Sequence, residues 1–487
     1  MLLKHYTVNL MKILLTGSTG YIGRRLAYRL LQENEVELRL FVRNPATVDS
    51  YLNNNCEIVT GSTFDIEPLN NALQDVDIAY YLIHSMSSGS EYSELDRISA
   101  SNFKDACINQ KVARVIYLGG LGDPETGSKH LKSRIETGNI LSGNDALYNC
   151  IWIRAGVIIG SGSASFEIIR NLVQKLPVML TPRWVNVKTE PIAINDVLDY
   201  LVRSKDIDID KHIVVDIGTG SMTFGEMLTV CADVMGLKRI IIPLPLFSPG
   251  LSSYWLVLFT PVPLRIAREL VEGLKSTTVK LNNNAENFFS DIKPVTYSQA
   301  IQYAIDEIEC NSVLSRWSDS LGSCTLDDAP DLHIGHYVYT MNASSEYDRS
   351  REDIFSSIER IGGDSGWYRF HMLWNIRGLV DRLTGGYGTR RGRRDQEKLR
   401  IGDSLDFWKV VDIIPVTRLL LYSEMKLPGR GWLEFLIDDN ELTIRAYFVP
   451  KGITGRVYWY CLFPIHKLLF HSMTKIIVSK NIKYPED

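Results

Sequence analysis

The chain has 487 residues, 45% hydrophobic and 23% charged, which at about 100–200 residues per domain implies two to four domains, each able to bury a core. Those fractions exclude a collagen-like, coiled-coil or largely disordered chain. Lys and Arg number 53 against 57 Asp and Glu, a net charge of −4, so composition carries no nucleic-acid signature and no such partner is expected.

The seven cysteines are odd in number, lack CxxC spacing and have no histidine cluster beside them. They predict neither a disulfide framework nor a zinc site, and a reducing, cytoplasmic setting. Residues 1–10 hold Lys4 and His5 without an apolar stretch of leader length. Two later segments are apolar. Ile240 to Leu264 is broken by Pro243, Pro245, Pro249, Pro261 and Pro263, and Tyr458 to Val478 by Pro464, His466, Lys467, His471 and Lys475. Neither reads as a spanning helix, and peripheral contact with a membrane stays open for both.

In chain order, Lys12 to Thr16 is a short buried strand, followed by Gly17, Ser18, Thr19, Gly20, Tyr21, Ile22 and Gly23. A helix then places Ile22, Leu26 and Leu30 at helical spacing. Strand, glycine turn and helix in this order form a dinucleotide-binding fingerprint. Gly17 permits the tight turn, Gly20 admits a pyrophosphate to the backbone amides, and Gly23 lets the helix lie close to the strand. The second strand, Glu37 to Val42, ends at Arg43, 20 residues after Gly23. An acidic residue there would bind the ribose 2′-hydroxyl of NAD, whereas an arginine suits a 2′-phosphate. Arg43 thus predicts NADP over NAD, with Arg39 as a secondary helper; the other reading is a solvated arginine at a strand end. Further strands at Ile58 to Thr60, Asp77 to Ile83, Arg114 to Leu118 and Cys150 to Arg154 alternate with helical runs. That alternation predicts a doubly wound parallel α/β sheet with ligands at the carboxyl ends of the strands.

These residues resemble the short-chain dehydrogenase/reductase superfamily, in particular its atypical, NmrA-like members. The matching segments are TGSTGYIG at Thr16 to Gly23, VRNP at Val42 to Pro45, Asp65-Ile66, YYLIHSM at Tyr80 to Met86, YLGGLG at Tyr117 to Gly122, IRAGVIIGSGSASF at Ile153 to Phe166 and PIAINDV at Pro191 to Val197. The resemblance implies a Rossmann sheet with a small substrate lobe over residues 1–320. It puts Asp65 and Ile66 at the adenine, and Leu82, Ile83 and His84 beside the cofactor. A homodimer is also implied.

The superfamily's usual chemistry uses a tyrosine proton donor, a lysine four residues later and a serine after the preceding strand. Here Gly119 and Gly120 stand where the serine is expected, and the helix reads His130, Leu131, Lys132, Ser133, Arg134. In that register His130 replaces the tyrosine and Arg134 the lysine. His130 can act as an acid near neutral pH, and Arg134 can hold a phosphate or ribose. The alternative is two helix-surface residues, with Arg134 paired to Glu136 or Asp123. Tyr92 and His84 are further candidates to face the substrate. In the lobe, Met179 to Trp184 reads as a strand and Phe224 to Leu237 as an amphipathic helix with Met227, Leu228, Cys231 and Met235 on its core face.

Patterning changes near Cys310 to Asp331, a linker rich in Asn, Ser, Asp, Gly and Pro. Beyond it, residues 321–487 read as an α+β domain. Ser350 with Asp353 resembles a cap opening a helix. Strands are predicted at Leu405 to Ile414, Arg418 to Lys426, Gly431 to Ile437 and Glu441 to Val449, with a hairpin turn at Asp438-Asp439-Asn440. A helix from Ile465 to Val478 closes the chain. A curved antiparallel sheet on a long C-terminal helix is the helix-grip plan, which often encloses an apolar cavity. DIFSSIERIGG at Asp353 to Gly363, GTRRGRRD at Gly388 to Asp395 and FVPKGITGRVYWY at Phe448 to Tyr460 resemble a domain of unknown function that follows atypical dehydrogenases. Arg390, Arg391, Arg393 and Arg394 form a candidate anion site, the other reading being pairing with Asp395 and Asp403. Trp374, Trp408, Trp432 and Trp459 line either a cavity or the core.

Three functions follow as expectations. The first is an NADP(H)-dependent reductase or isomerase of a small apolar or anionic molecule. The second is an NADP(H)-binding redox sensor or assembly protein without turnover. The third is a peripheral lipid or quinone carrier.

Overall fold

The structure is a computed structural model; it describes residues 10–84, 92–123, 125, 127–143, 145–244, 272–273, 276–310, 312–319, 338–363, 366–367, 371–383, 388 and 393–479. The chain forms two compact units, one ending in the described residues at 319 and one beginning at 338.

In the first unit β1 (Met11–Thr16), α1 (Tyr21–Leu30), β2 (Val36–Val42), α2 (Ser50–Asn55), β3 (Glu57–Thr60), α3 (Ile66–Leu73), β4 (Ile78–Tyr81), α4 (Tyr92–Asn109), β5 (Arg114–Gly120), α5 (Lys129–Leu141) and β6 (Asn149–Ala155) alternate as predicted. After β6 come β7 (Val157–Ile159), α6 (Ala164–Lys175), β8 (Val178–Pro182), β9 (Lys188–Thr189), β10 (Pro191–Ala193), α7 (Ile194–Arg203) and β11 (Ile213–Ile217). The strands of the main sheet lie in the order β11-β6-β5-β4-β1-β2-β3, all parallel. Parallel strands need helical crossovers, which cover both faces and bury apolar residues on each. One face packs Leu26, Leu30, Val197 and Leu201 on Ile13, Leu15 and Leu40. The other packs Leu69, Leu73, Phe103 and Leu131 on Leu14, Ala79 and Val115. Strand order reverses between β1 and β4, which opens a crevice at their carboxyl ends.

The lobe elements follow: β12 (Met222–Thr223), α8 (Phe224–Val234), β13 (Ile240–Leu244), α9 (Asn284–Phe288) and α10 (Tyr297–Glu309). Met227, Leu228 and Cys231 are buried along α8, as its spacing predicts. The predicted strand from Met179 appears as β8, paired in parallel with β13. Arg25 of α1 ties lobe to sheet, donating to Glu307 and Ser161 while Ser315 accepts from its Nε. The Pro-rich run after Leu244 lies outside the described residues.

The second unit comprises β14 (Tyr339–Glu346), α11 (Arg351–Glu359), α12 (His371–Leu383), β15 (Ser404–Leu405), β16 (Trp408–Ile414), β17 (Arg418–Ser423), β18 (Gly429–Ile437), β19 (Glu441–Pro450) and α13 (Gly452–Val478). Its six strands form an antiparallel sheet in the order β14-β19-β18-β17-β16-β15. Leu433, Phe435 and Ile437 alternate onto the inner face with Leu442, Ile444 and Ala446, beneath Ile354 of α11 and Trp459, Leu469, Met473 and Ile477 of α13. Ser350 caps α11 as predicted, accepting from the Asp353 amide at 3.1 Å. The tryptophans are core residues: Trp374, Trp408 and Trp459 join the inner cluster and Trp432 packs on the outer face.

Four elements differ from expectation. β14 and α12 were not predicted, because the inward positions of Tyr339–Glu346 end in small and polar residues, Ala343 and Ser345, and α12 carries few strong terminal signals. The segment expected as one strand from Leu405 to Ile414 is a hairpin, β15 and β16, that turns at Asp406 and Phe407. The last helix begins at Gly452 rather than Ile465 and continues through Pro464, for 27 residues in all. It is therefore long and apolar enough to cross a membrane, contrary to the sequence reading, although its inner face is built into the sheet.

Candidate functional site

The glycine turn connects β1 to α1 at the reversal crevice. Gly17 has φ +73°, and a Cβ there would lie 2.6 Å from the Leu82 carbonyl oxygen. A Cβ on Gly23 would lie 2.2 Å from the Gly17 carbonyl oxygen. Both positions therefore exclude any side chain. Gly20 is the N-cap of α1 and supplies no side-chain cap, so the amides of Tyr21, Ile22 and Gly23 are left to an incoming acceptor at the positive end of the helix. The buried Ser18 hydroxyl has no hydrogen-bond partner among the described residues. An uncapped helix behind a glycine cradle fits a dinucleotide diphosphate. Tyr21 turns its ring away, under Gly160 and against the Arg25 guanidinium 5.2 Å from the ring centre. Burial pushes its hydroxyl well above the usual tyrosine range, so its backbone, with that of Thr19 and Ile22, is what the turn offers.

Arg43 follows β2 and is exposed, and no hydrogen bond or ion pair holds it among the described residues. The turn after it is anchored. Arg24 donates to the Thr47 carbonyl at 3.0 Å and to Asp49, and the Tyr28 hydroxyl donates to Asp49 at 2.9 Å. Arg39 is corrected as a helper. It is buried against Glu57 at 2.7 Å and donates to the Ala72 and Gln74 carbonyls, because its place in mid-strand points it into the helix layer. Asp65 and Ile66, at the start of α3, are both exposed. Leu82 donates its amide to the Thr16 hydroxyl at 3.3 Å, which joins the ends of β4 and β1. Ile83 packs partly against the core beside it.

The structure brings together two residues named separately in the sequence. His84, after β4, places Nε2 2.8 Å from Nδ1 of His130, in the first turn of α5. His84 Nδ1 lies 3.0 Å from Asp96 Oδ2 of α4, and the Ser133 hydroxyl donates to that same oxygen at 2.9 Å. A carboxylate can only accept, so His84 Nδ1 carries a proton. His84 Nε2 then accepts from His130 Nδ1–H, and the lone pair of His130 sits on Nε2. Burial lowers the pKa of both rings, with Asp96 opposing the shift; His130 is driven well below the usual histidine range, with the His84 and Arg134 charges adding to the effect. The amide dipoles of the first turn of α5 act in the same sense.

Asp96 and Ser133 were missed. Asp96 falls on the stripe of α4 that also holds Ser99, Ala100, Phe103 and Cys107, all buried. A carboxylate on an apolar stripe is the signal that could have found it.

Arg134 does not pair with Glu136 or Asp123. Its guanidinium donates to the Leu118 carbonyl at 2.6 Å, and its own carbonyl accepts from the Tyr117 hydroxyl at 2.8 Å. Burial pushes Tyr117 up to about 12, so this neighbouring tyrosine is no substitute for the missing donor. A Cβ on Gly119 would meet Trp152 Nε1 at 2.3 Å, whereas the Gly120 position faces Leu131 and Arg134. Trp152 thus leaves no room for the usual serine at Gly119. Tyr92 begins α4, but its side chain is outside the described residues.

In the second unit the anion-site reading is corrected for two of four arginines. Arg393 donates to the Asp395 and Ile361 carbonyls, and Arg394 is bidentate to Asp403 at 3.1 Å on both arms. These guanidiniums hold the fold because buried carbonyls and a buried carboxylate need them. Arg390 and Arg391 lie outside the described residues.

Residues 17–143 match the family model described as NAD(P)H-binding, and residues 334–473 the model described as a protein of unknown function, DUF2867. Among solved structures, a triphenylmethane reductase from Citrobacter sp. is 16% identical, with 61% of this chain and 100% of that chain covered and a TM-score of 0.51. A nucleoside-diphosphate-sugar epimerase from Staphylococcus aureus is 15% identical over 60% and 100%, with a TM-score of 0.49. UDP-glucose 4-epimerase from Thermotoga maritima is 13% identical over 62% and 99%, with a TM-score of 0.48. No curated protein matches by sequence.

Proposed function

From a chain that carries an NAD(P)H-binding domain of the short-chain dehydrogenase/reductase fold and, after it, a DUF2867 domain, we propose an NADP(H)-dependent reductase or isomerase of a small apolar molecule, with His130 as its proton-exchanging group. The observation that carries this reading is the hydrogen-bonded series Asp96–His84–His130 at the carboxyl ends of the strands beside the glycine turn.

The α1 amides and the glycine turn would hold the diphosphate, Arg43 the 2′-phosphate, and Asp65 and Ile66 the adenine. A bound NADP(H) supplies or accepts hydride. With its lone pair on Nε2, His130 takes a proton from the substrate at that atom and gives one back only after it has been protonated there. When His130 takes a proton at Nε2, its Nδ1 proton can shift to His84 Nε2, and that of His84 Nδ1 toward Asp96 Oδ2. The charge is then spread over a buried series instead of one ring. Ser133 keeps Asp96 oriented. Gly119, Gly120 and buried Leu121 offer no polar side chain at the carboxyl end of β5, which supports an apolar substrate.

A second reading, an NADP(H)-binding protein without turnover, is favoured by the occlusion at Gly119. One experiment separates the two. Titration with NADPH and NADH, followed by a substrate screen at 340 nm, should show tighter NADPH binding and substrate-dependent oxidation that His130→Ala reduces. Tighter NADH binding would sink the NADP assignment. Undiminished turnover in His130→Ala would remove His130, and binding without turnover across the screen would favour the second reading.

A further inference from the structure

The outer face of α13 is apolar and exposed. Ile453 is 79% exposed, Val457 55% and Leu468 64%, and Tyr460 and Pro464 fall between them at steps of three or four residues, on one side of the helix. Phe463 and Ile465 flank that stripe and are also exposed. A second stripe runs along α12, where Met372, Ile376, Leu379 and Val380 are exposed at the same spacing. The two helices are neighbours, because the charge of Arg377 of α12 acts on both Tyr458 and His466 of α13.

Charge identifies the occupant. Along its 27 residues α13 has no Asp or Glu, whereas Arg456, Lys467 and Lys475 are all exposed. An apolar helical face set among cations, with aromatic residues at its margin and no acid, matches the boundary of an anionic bilayer. The helix lies in the plane of that boundary and does not cross it. Trp459, Leu469, Met473 and Ile477 on its other side are built into the sheet core, and crossing would strip them from it. We infer that the α12–α13 face of the second unit docks the protein on an anionic membrane surface, with Ile453, Val457, Tyr460 and Leu468 in the acyl boundary and Arg456 and Lys467 at the lipid phosphates.

The test is sedimentation of the full chain with vesicles of equal phosphatidylglycerol and phosphatidylcholine, and with vesicles of phosphatidylcholine alone. The wild type should pellet with the first, more weakly with the second, and less as salt is raised. Val457→Glu with Leu468→Glu should lower partitioning at least about ten-fold, and Arg456→Glu with Lys467→Glu should abolish the preference for the anionic vesicles. Both pairs lie on exposed positions, so circular dichroism and melting should remain those of the wild type. Failure of the wild type to pellet with anionic vesicles would overturn the inference, as would binding unchanged in the Val457/Leu468 pair. Light scattering covers the alternative occupant. A wild-type dimer that this pair converts to monomer, without vesicle binding, would assign the face to a second copy of the chain.

Discussion

His84 Nε2 and His130 Nδ1 are 2.8 Å apart, although 46 residues separate them, and a carboxylate on a third element orients the pair. An imidazole held this way has a defined tautomer, and its remaining lone pair has a defined direction. Under the proposed function this pair takes the place that a tyrosine and a lysine hold in short-chain dehydrogenases, and the first two predictions test it.

Removal of the terminal imidazole should cost more than removal of its support. His130→Ala should lower kcat by about 10²–10⁴-fold, while NADPH affinity stays near wild type. Asp96→Asn leaves the shape but no longer enforces the His84 tautomer. It should lower kcat by a smaller factor and shift the pH profile of kcat, measured by steady-state kinetics. An unshifted profile would leave Asp96 a purely structural role.

The same pair should make the first unit acid-sensitive. Both imidazoles have folded pKa values below the ordinary value of about 6.5. Above about 6.5 both states are neutral and the pair carries no penalty. As pH falls below that value, the unfolded chain takes protons that the folded chain refuses, so stability declines until the folded pKa is reached. The melting temperature should therefore drop between about pH 6.5 and 5, and His84→Gln with His130→Gln should flatten that slope.

The glycine turn should tolerate no side chain. Gly17→Ala must adopt φ +73° and meet the Leu82 carbonyl, and Gly23→Ala must meet the Gly17 carbonyl. Each should abolish NADPH binding in a fluorescence titration. Gly17→Ala should also destabilise the unit by at least about 1–2 kcal/mol from the left-handed backbone alone.

A buried ion pair between the last two strands of the sheet supplies a stability test that does not involve the histidines. Arg154 of β6 is bidentate to Asp216 of β11 at 2.6 and 2.9 Å, and Asp216 also accepts from the Leu281 amide at 2.7 Å. Asp216→Ala leaves a guanidinium without its carboxylate and should cost about 3–5 kcal/mol in urea unfolding.

Arg394 should behave as a structural residue. Arg394→Ala leaves Asp403 buried with Arg400 as its one remaining cation among the described residues. Stability of the second unit should fall by about 3 kcal/mol, with cofactor affinity unchanged. Loss of binding to a phosphorylated ligand without loss of stability would restore the anion reading for this residue.

The local signals were legible because they are local. Strand, glycine turn and helix at Met11 to Leu30 follow from period and backbone freedom, and so do β17, β18 and β19 of the second unit, which are rich in strand-forming apolar residues. The end of α13 was legible but not its beginning, since Pro464 reads as a stop and the helix continues through it without the hydrogen bond that proline cannot donate. Tyr339–Glu346 pairs at the edge of the sheet with β19, and only that long-range register makes a strand of a polar segment.

By itself the sequence determined the alternating α/β architecture, the glycine turn and the change of character before the second unit. These depend on residue type and spacing over a few turns of chain. Only the tertiary structure decided that Asp96 joins His84 and His130, that Arg393 and Arg394 serve the fold, and that one face of α13 is left bare. Each depends on which distant groups meet in a low-dielectric interior, where an unpaired charge is costly and the partner that satisfies it can lie anywhere in the chain.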